Sequence, residues 1–325
     1  MTDNNVVCIS HSKDADGLSS AALVKLITNA DVILSDYGDY VDKLSGLEDI
    51  KELYICDLGL NYKTQDIFIK EMKRISKEAR ITYVDHHPLD ISLKKRIRRI
   101  GIKLIHSTHE CASMLVLRGL GEKLSRDAGL IAAYGAVTDY MDDHPYAKKI
   151  INGFDRQFVL YESTVLSHAI SASRGNLKQL MEIVDGLSNK KYPHQLKGVY
   201  NLARKQADAV GNLIFKVGNN GHKMKNLAYM ETEELSTGNV ANLLIGAFNV
   251  DVGVAYRHHK GDGVYDVSLR GLGNSKKHLG NVVSSISKSL GGFGGGHACA
   301  SGARFPQENL KRFLLLIDDE LGVSH

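Results

Sequence analysis

Apolar residues in the first 140 positions come in short β-rich runs, each closed abruptly by polar residues and separated from the next by stretches with helical spacing. The runs predict strands at about 5–10, 32–34, 53–56, 81–84 and 102–105. Between them the pattern predicts a small-residue helix over 19–29, a short helix before 53, and a helix over 62–79 with Ile67, Ile69, Met72 and Ile75 as its apolar stripe. Ser107-Thr108-His109-Glu110 has the S-x-x-E form of a capping box and predicts a helix through 111–117. A further small-residue helix runs from about 126 into Val137-Thr138-Asp139. Such alternation predicts a parallel sheet wrapped by helices, with ligands collecting at the carboxyl ends of the strands.

The pattern then changes. Residues 150–190 read as helical, and Pro193 precedes a long helical stretch to about 212. Strands follow at 226–230, 251–258 and 264–270, the last two joined by the hairpin signal Gly261-Asp262-Gly263. Ser236-Thr237 caps a helix over 240–248, a second helix spans about 277–290, and a strand over 298–305 leads past Pro306 into a closing helix. The expected architecture is therefore α/β. It has a parallel-sheet catalytic domain at 1–190, a helical connector at 191–216 and a smaller α+β domain at 217–325.

A chain of 325 residues suits two domains, and 43% hydrophobic with 24% charged residues is an ordinary globular balance. The net charge of +4 is compatible with a polyanionic ligand without requiring one. No apolar run approaches the roughly 20 residues that span a bilayer. Met1 is followed by Thr2-Asp3-Asn4-Asn5 without a basic region, so no signal peptide is expected and the reading is cytoplasmic. Cys8, Cys56, Cys111 and Cys299 show no paired spacing and read as reduced thiols.

The chemistry gathers at the ends of the first-half strands. The run 81–84 stops in Asp85-His86-His87-Pro88, the first strand leads into His11, Asp14 and Asp16, the third into Asp57, and the helix from 126 into Asp139. Any single aspartate here is ordinarily a cap or a turn residue. The full set is not covered by that reading, because several carboxylates in one crevice repel unless cations neutralise them. Imidazole and carboxylate without thiolate is a donor set for Mn²⁺ or Mg²⁺. Two such ions sharing a bridging carboxylate set up phosphoryl chemistry. Elsewhere, Gly291-Gly292-Phe293-Gly294-Gly295-Gly296-His297 lacks a P-loop ending. The amides of Gly294, Gly295 and Gly296 can close on an anion with His297 as donor, or the run is a flexible turn. Lys94-Lys95-Arg96-Ile97-Arg98-Arg99 can track a nucleic-acid backbone, although a charge run is ordinarily a solvated face. His109, His258 and His259 read as incidental.

KDADGLSSA, the Asp57 strand, YVDHHP and AVTDYMD resemble the four motifs of the DHH phosphoesterase superfamily. GGFGGGHACASGA resembles the GGGH motif of its DHHA1 substrate domain. The superfamily includes RecJ-type exonucleases, oligoribonucleases, cyclic dinucleotide phosphodiesterases and, with a different C-terminal domain, family II pyrophosphatases. The resemblance implies one metal on His11, Asp14 and Asp57 and a second on Asp16, Asp57, His86 and Asp139, with Asp57 bridging. It implies Asp85 behind His86, orienting that ring, and His87 on the scissile phosphate. Arg270, Gly294, Gly295, Gly296 and His297 would bind substrate. His11 stands three residues before Asp14, where the commonest family spacing is two or four, which alters the register of His11 toward the metal. Lys13 faces phosphate or solvent. The implied activity is a Mn²⁺-dependent phosphodiesterase, with two ions per site and Mg²⁺ as substitute. It would hydrolyse single-stranded RNA, DNA or short oligonucleotides from an end, by in-line attack of a hydroxide held between the two ions. The alternatives are a cyclic dinucleotide or pAp phosphodiesterase, or a non-catalytic DHH scaffold in replication or repair. Homo-oligomers and protein partners are compatible with the resemblance and leave no sequence mark.

Overall fold

The structure is a computed structural model that describes residues 5–37, 39–60, 64–121, 124–173, 175–233, 236–259, 261–272 and 277–322. Residues 1–4, on which the reading of the amino terminus rests, and residues 62–63 of the expected third helix lie outside them. Two compact units, Met1–Ala207 and Asp208–His325, divide the chain inside a single long helix, Val199–Asn220.

In the first unit, strands β1 (Val6–His11), β2 (Asp31–Ser35), β3 (Glu52–Cys56), β4 (Arg80–Asp85) and β5 (Lys103–His106) form one parallel sheet in the order β2-β1-β3-β4-β5. The strands alternate apolar residues between two buried faces. Val7, Ile9, Leu53, Ile55, Ile81 and Tyr83 pack with helices α2 (Tyr40–Ser45), α3 (Gln65–Ile75) and α4 (Ile91–Arg99). Cys8, Tyr54, Cys56 and Val84 point into a second core shared with α1 (Ala15–Thr28), α5 (Ala112–Leu120), α6 (Arg126–Thr138), α7 (Pro145–Ile151), α8 (Arg156–Ser173) and α9 (Leu177–Ser188). A parallel sheet needs both faces covered, and this is how the chain covers them. The chain leaves β1 toward β2 on one side and returns to β3 on the other. The carboxyl ends of β1 and β3 thus flank the switch point where such sheets open a crevice.

Two local expectations are corrected. Ile67 is 53% exposed, and Phe68 joins Ile69, Met72 and Ile75 in the core. Residues 67 and 69 are two apart, which places them on opposite sides of a helix. The expected capping box does not form either. The Ser107 hydroxyl accepts from the His109 amide at 3.1 Å, the Glu110 carboxylate pairs with Arg118 at 2.6 Å, and α5 begins only at Ala112.

In the second unit a six-stranded sheet runs in the order β10-β11-β9-β8-β7-β6. Its strands are β6 (His222–Lys223), β7 (Leu227–Glu231), β8 (Val252–His259), β9 (Val264–Gly271), β10 (Phe293–Gly296) and β11 (Ala300–Pro306). The long helix Val199–Asn220 is α10. Helix α11 (Thr237–Phe248) packs on one face, and α12 (Leu279–Ser289) and α13 (Leu310–Gly322) belong to the core of the other. The centre of the glycine run is a strand and not a turn. Gly294, Gly295 and Gly296 are strand residues paired with Ala303, Gly302 and Ser301. Close packing accounts for two of these glycines. A Cβ on Gly294 would lie 2.6 Å from the Ser287 hydroxyl, and one on Gly296, at φ 140°, would lie 2.5 Å from the Ala300 carbonyl. No described helix is long and apolar enough to cross a membrane.

Candidate metal centre

The sheet ends as the alternation predicts, and three overlapping groups of donors assemble there. His11, Asp14 and Asp57 form one, Asp16, His86 and Asp139 a second, and Asp57, His86 and His87 a third, with the donor atoms of each within 4.8 Å of one another. Asp57 joins the first to the third, and His86 joins the third to the second.

Asp57 follows β3 directly and is 1% exposed. Its backbone is left-handed, φ 57°, a conformation that Asp and Asn tolerate better than most residues. Its amide is fixed to the Val84 carbonyl at 3.0 Å, so the carboxylate is held against the end of β4. Oδ2 lies 3.5 Å from His11 Nδ1 and Oδ1 lies 3.3 Å from His86 Nε2. Neither oxygen has a hydrogen-bond partner among the described residues. Burial, then the charges of Asp14 and Asp16, push this carboxyl well above the ordinary range. A buried, unpartnered carboxylate is costly unless a cation meets it.

His11, the last residue of β1, is in a similar position. Its Nδ1 is 2.7 Å from Asp14 Oδ2 and its Nε2 is 3.5 Å from Asp36 Oδ1, yet neither nitrogen has a hydrogen bond with proper direction. Burial works against its charge, but the carboxylates of Asp14 and Asp57 outweigh burial and push its pKa up to about 10. Asp14 serves twice: Oδ1 caps α1 by accepting from the Gly17 amide at 2.9 Å, and Oδ2 faces His11. Lys13 pairs with Asp36 at 3.3 Å.

Asp16 is fully buried, and tertiary structure fixes it. Its two oxygens accept from the amides of Ala112 at 2.7 Å and Ser113 at 2.8 Å, so a residue 96 positions away caps α5. This replaces the expected capping box, and the helix N-terminus favours the negative charge. Gly135 in α6 makes room, since a Cβ there would lie 2.3 Å from Asp16 Oδ1. Asp139, the C-cap of α6, reaches His86 Nε2 at 3.5 Å. Burial, followed by Asp16, Asp14 and Asp57, pushes its pKa up to about 9.

Asp85 does not orient His86. It is fully buried, and its carboxylate accepts from His87 Nδ1 at 2.9 Å and from the Tyr83 hydroxyl at 3.2 Å. In extended chain, residues two apart share a side, so Asp85 and His87 meet while His86 turns toward the metal donors. With Nδ1 taken by Asp85, the other ring nitrogen of His87, Nε2, contacts the Tyr37 hydroxyl at 3.0 Å. The Tyr37 ring also lies 4.4 Å from the His11 ring. Sequence reading missed Tyr37 and Asp36, although the rule that found the other acids, polar residues closing a β-run, applies equally after β2.

The site fits divalent cations. Two ligand atoms bound at about 2.1 Å and at a right angle are about 3 Å apart, close to the 3.3–3.5 Å separations here. All donors are nitrogen or oxygen, the set suited to Mn²⁺ or Mg²⁺. His11, Asp14 and Asp57 would hold one ion, and Asp16, Asp57, His86 and Asp139 the other.

In the second unit, Arg270 is half-buried, and burial lowers its pKa. Its guanidinium donates to the Leu269 carbonyl at 2.9 Å and packs on Gly238, where a Cβ would come within 2.4 Å of Nη2. The His297 side chain is exposed, while its backbone closes the turn into β11 through Ala300 at 2.7 Å. The basic run forms α4, with Leu93 and Ile97 buried, Arg96 paired to Asp66 at 2.7 Å, and Lys95, Arg98 and Arg99 exposed.

Comparison with known proteins agrees with this anatomy. Residues 225–322 match the DHHA1 domain. An uncharacterized protein of Methanocaldococcus jannaschii is 33% identical over 103 residues, which is 31% of this chain and 22% of that protein. Among solved structures, the pGpG-specific phosphodiesterase PggH of Vibrio cholerae is 16% identical with a TM-score of 0.61, covering 97% of this chain and 98% of its own. An exonuclease RecJ bound to manganese is 13% identical with a TM-score of 0.62, covering 98% and 90%. CDC45 of Entamoeba histolytica is 10% identical with a TM-score of 0.53, covering 98% and 95%. At these identities the likeness establishes a shared fold.

Proposed function

We propose that this chain, whose residues 225–322 match the DHHA1 domain and whose fold is shared with PggH and RecJ, is a DHH/DHHA1 phosphoesterase, and specifically a Mn²⁺-dependent phosphodiesterase cleaving short or single-stranded oligonucleotides from an end. The observation that carries the reading is the Asp57 carboxylate, buried, unpartnered on both oxygens and shared between donor groups. Divalent ions bound there supply positive charge for the phosphoryl oxygens and a nucleophile at neutral pH.

The chain's own residues do the rest. Asp57 ties the two donor sets together, and Asp16, held by the α5 amides, keeps its geometry without rearrangement. Asp85 fixes the His87 ring and leaves Nε2 to donate to a phosphate oxygen, while Tyr37 holds that nitrogen until substrate arrives. In the second unit, Arg270 and His297 bind a terminal phosphate, a task suited to a guanidinium that no described carboxylate pairs. A scaffold role without catalysis leaves the complete acid–histidine set without a purpose.

The test is incubation with end-labelled single-stranded RNA, single-stranded DNA and dinucleotides in Mn²⁺, Mg²⁺ or EDTA, with products resolved by length. Mononucleotides released progressively in Mn²⁺ and not in EDTA are expected. Wild-type protein inert toward every substrate, or cleavage undiminished in Asp57→Asn, would sink the reading.

A further inference from the structure

Strand register in the second unit lays out a surface that folding alone does not explain. Across β10, β11, β9 and β8, Phe293 pairs with Arg304, Arg304 with Asp266, and Asp266 with Arg257. The next row on the same side is Gly295, Gly302, Ser268 and Ala255, and the row beyond brings Ala300 beside Arg270. Side chains two residues apart share a face, so all three rows look the same way. The opposite face carries Val267, Leu269, Ala303 and Phe305, all buried in a core that α12 and α13 share.

The outward face over β10 and β11 is open. A Cβ on Gly295 would meet nothing within 4 Å, and one on Gly302 would meet only the Val267 carbonyl at 3.3 Å. Over β10 and β11 the middle row is therefore a floor of backbone, while beside it the Ser268 hydroxyl is bonded to that of Thr237 at 2.6 Å. On one side of it stand Phe293, 69% exposed, and its cross-strand neighbour Arg304. The Arg304 guanidinium is held flat by two parallel bonds to Asp266, Nε to Oδ1 at 2.5 Å and Nη2 to Oδ2 at 2.7 Å. An aromatic ring and a guanidinium fixed in its plane, side by side, are the two surfaces on which nucleobases stack. Arg270 lies four residues along β9 from Asp266, about 13 Å.

We propose that this face is a nucleobase platform. A base stacks on Phe293 and the Arg304 plane, its sugar crosses the glycine floor, and its phosphate points to Arg270. The placement of the phosphate rests on the function proposed above, whereas the platform itself rests on register, exposure and the Arg304–Asp266 pair. Stacking tolerates any base and strengthens with ring area, so purine nucleotides bind more tightly than pyrimidine nucleotides.

The experiment is calorimetric titration of the full-length protein, in EDTA so that nothing is hydrolysed, with AMP, CMP and ribose 5-phosphate. AMP is expected to bind about tenfold more tightly than ribose 5-phosphate, the usual scale of one stacked base, with CMP between them. Phe293→Ala, at an exposed site that leaves the core untouched, should remove that difference and leave ribose 5-phosphate unchanged. Phe293→Tyr should restore it. Equal binding of AMP and ribose 5-phosphate, parallel loss of both in Phe293→Ala, or no binding of either would overturn the platform. Because the readout is binding without metal, a wild-type protein that prefers AMP yet cleaves no phosphodiester would refute the proposed activity and not the platform.

Discussion

Replacing Asp57 by Asn separates the cost of this carboxylate to the fold from its value to the metal. Asn keeps the shape of the side chain and tolerates the left-handed backbone at φ 57°, so neither cavity nor strain is introduced. In metal-free protein the substitution removes a buried carboxyl that two further acids crowd and that no hydrogen bond satisfies. The metal-free melting temperature of Asp57→Asn is therefore expected to equal or exceed that of wild type. Each Mn²⁺ ion, at a hundred times its dissociation constant, stabilises wild type by about 2.7 kcal/mol, and the tighter of the two alone sets the minimum shift. For a unit the size of Met1–Ala207, each kcal/mol moves the midpoint by about 2–4 °C, so the expected minimum rise is about 5–11 °C. The variant, lacking the shared ligand, should rise by less than about 2 °C. Thermal unfolding followed by circular dichroism in EDTA and in Mn²⁺ measures all four midpoints. A variant that keeps the full Mn²⁺ shift, or that melts well below wild type in EDTA, refutes the reasoning.

Tyr37→Phe keeps the ring against His11 and removes the hydroxyl on His87 Nε2. It is expected to lower kcat/KM by up to about tenfold, the value of one hydrogen bond, with little change in kcat, and to add nothing in a His87→Ala background; additive losses in steady-state kinetics would show that Tyr37 does not act through His87. Metal-free protein should lose stability as pH rises from about 5 to 9. Asp139, raised to about 9, and His11, raised to about 10, hold protons in the folded state that the unfolded chain has already released. Mn²⁺ should abolish that slope, and denaturant midpoints that climb with pH in EDTA would contradict it. Gly280→Ala would set a Cβ 2.1 Å from the Gly296 carbonyl. It should destabilise the second unit by about 1–3 kcal/mol while leaving the Mn²⁺-dependent shift of the first unit intact; an unchanged urea midpoint would argue against that packing.

Much of this protein is legible in its sequence because the signals are local. The five parallel strands announce themselves as short apolar runs, since a strand buried on both faces has no polar side to interrupt it. His11, Asp14, Asp57, His86 and Asp139 could be singled out because strand and helix ends are where chain polarity changes, and folding gathers them into groups whose donor atoms lie within 4.8 Å of one another. The hairpin at Gly261-Asp262-Gly263 and the Ser236 cap are likewise fixed by a few neighbouring residues. What tertiary structure decided is which partner each polar group takes. Ser107-Thr108-His109-Glu110 satisfies a local capping rule, yet the amides of α5 go to Asp16, because a fully buried carboxylate outcompetes a solvated hydroxyl for donors it cannot obtain from water. Asp85 could have served either histidine on composition alone, and the alternation of the extended chain gave it to His87. That Gly294, Gly295 and Gly296 form an edge strand was likewise decided at a distance, since β11 pairs them and α12 leaves no space for a side chain at Gly294. Local sequence sets where polar groups are delivered, while burial, which depends on contacts between distant segments, decides which of them must be paired and with what.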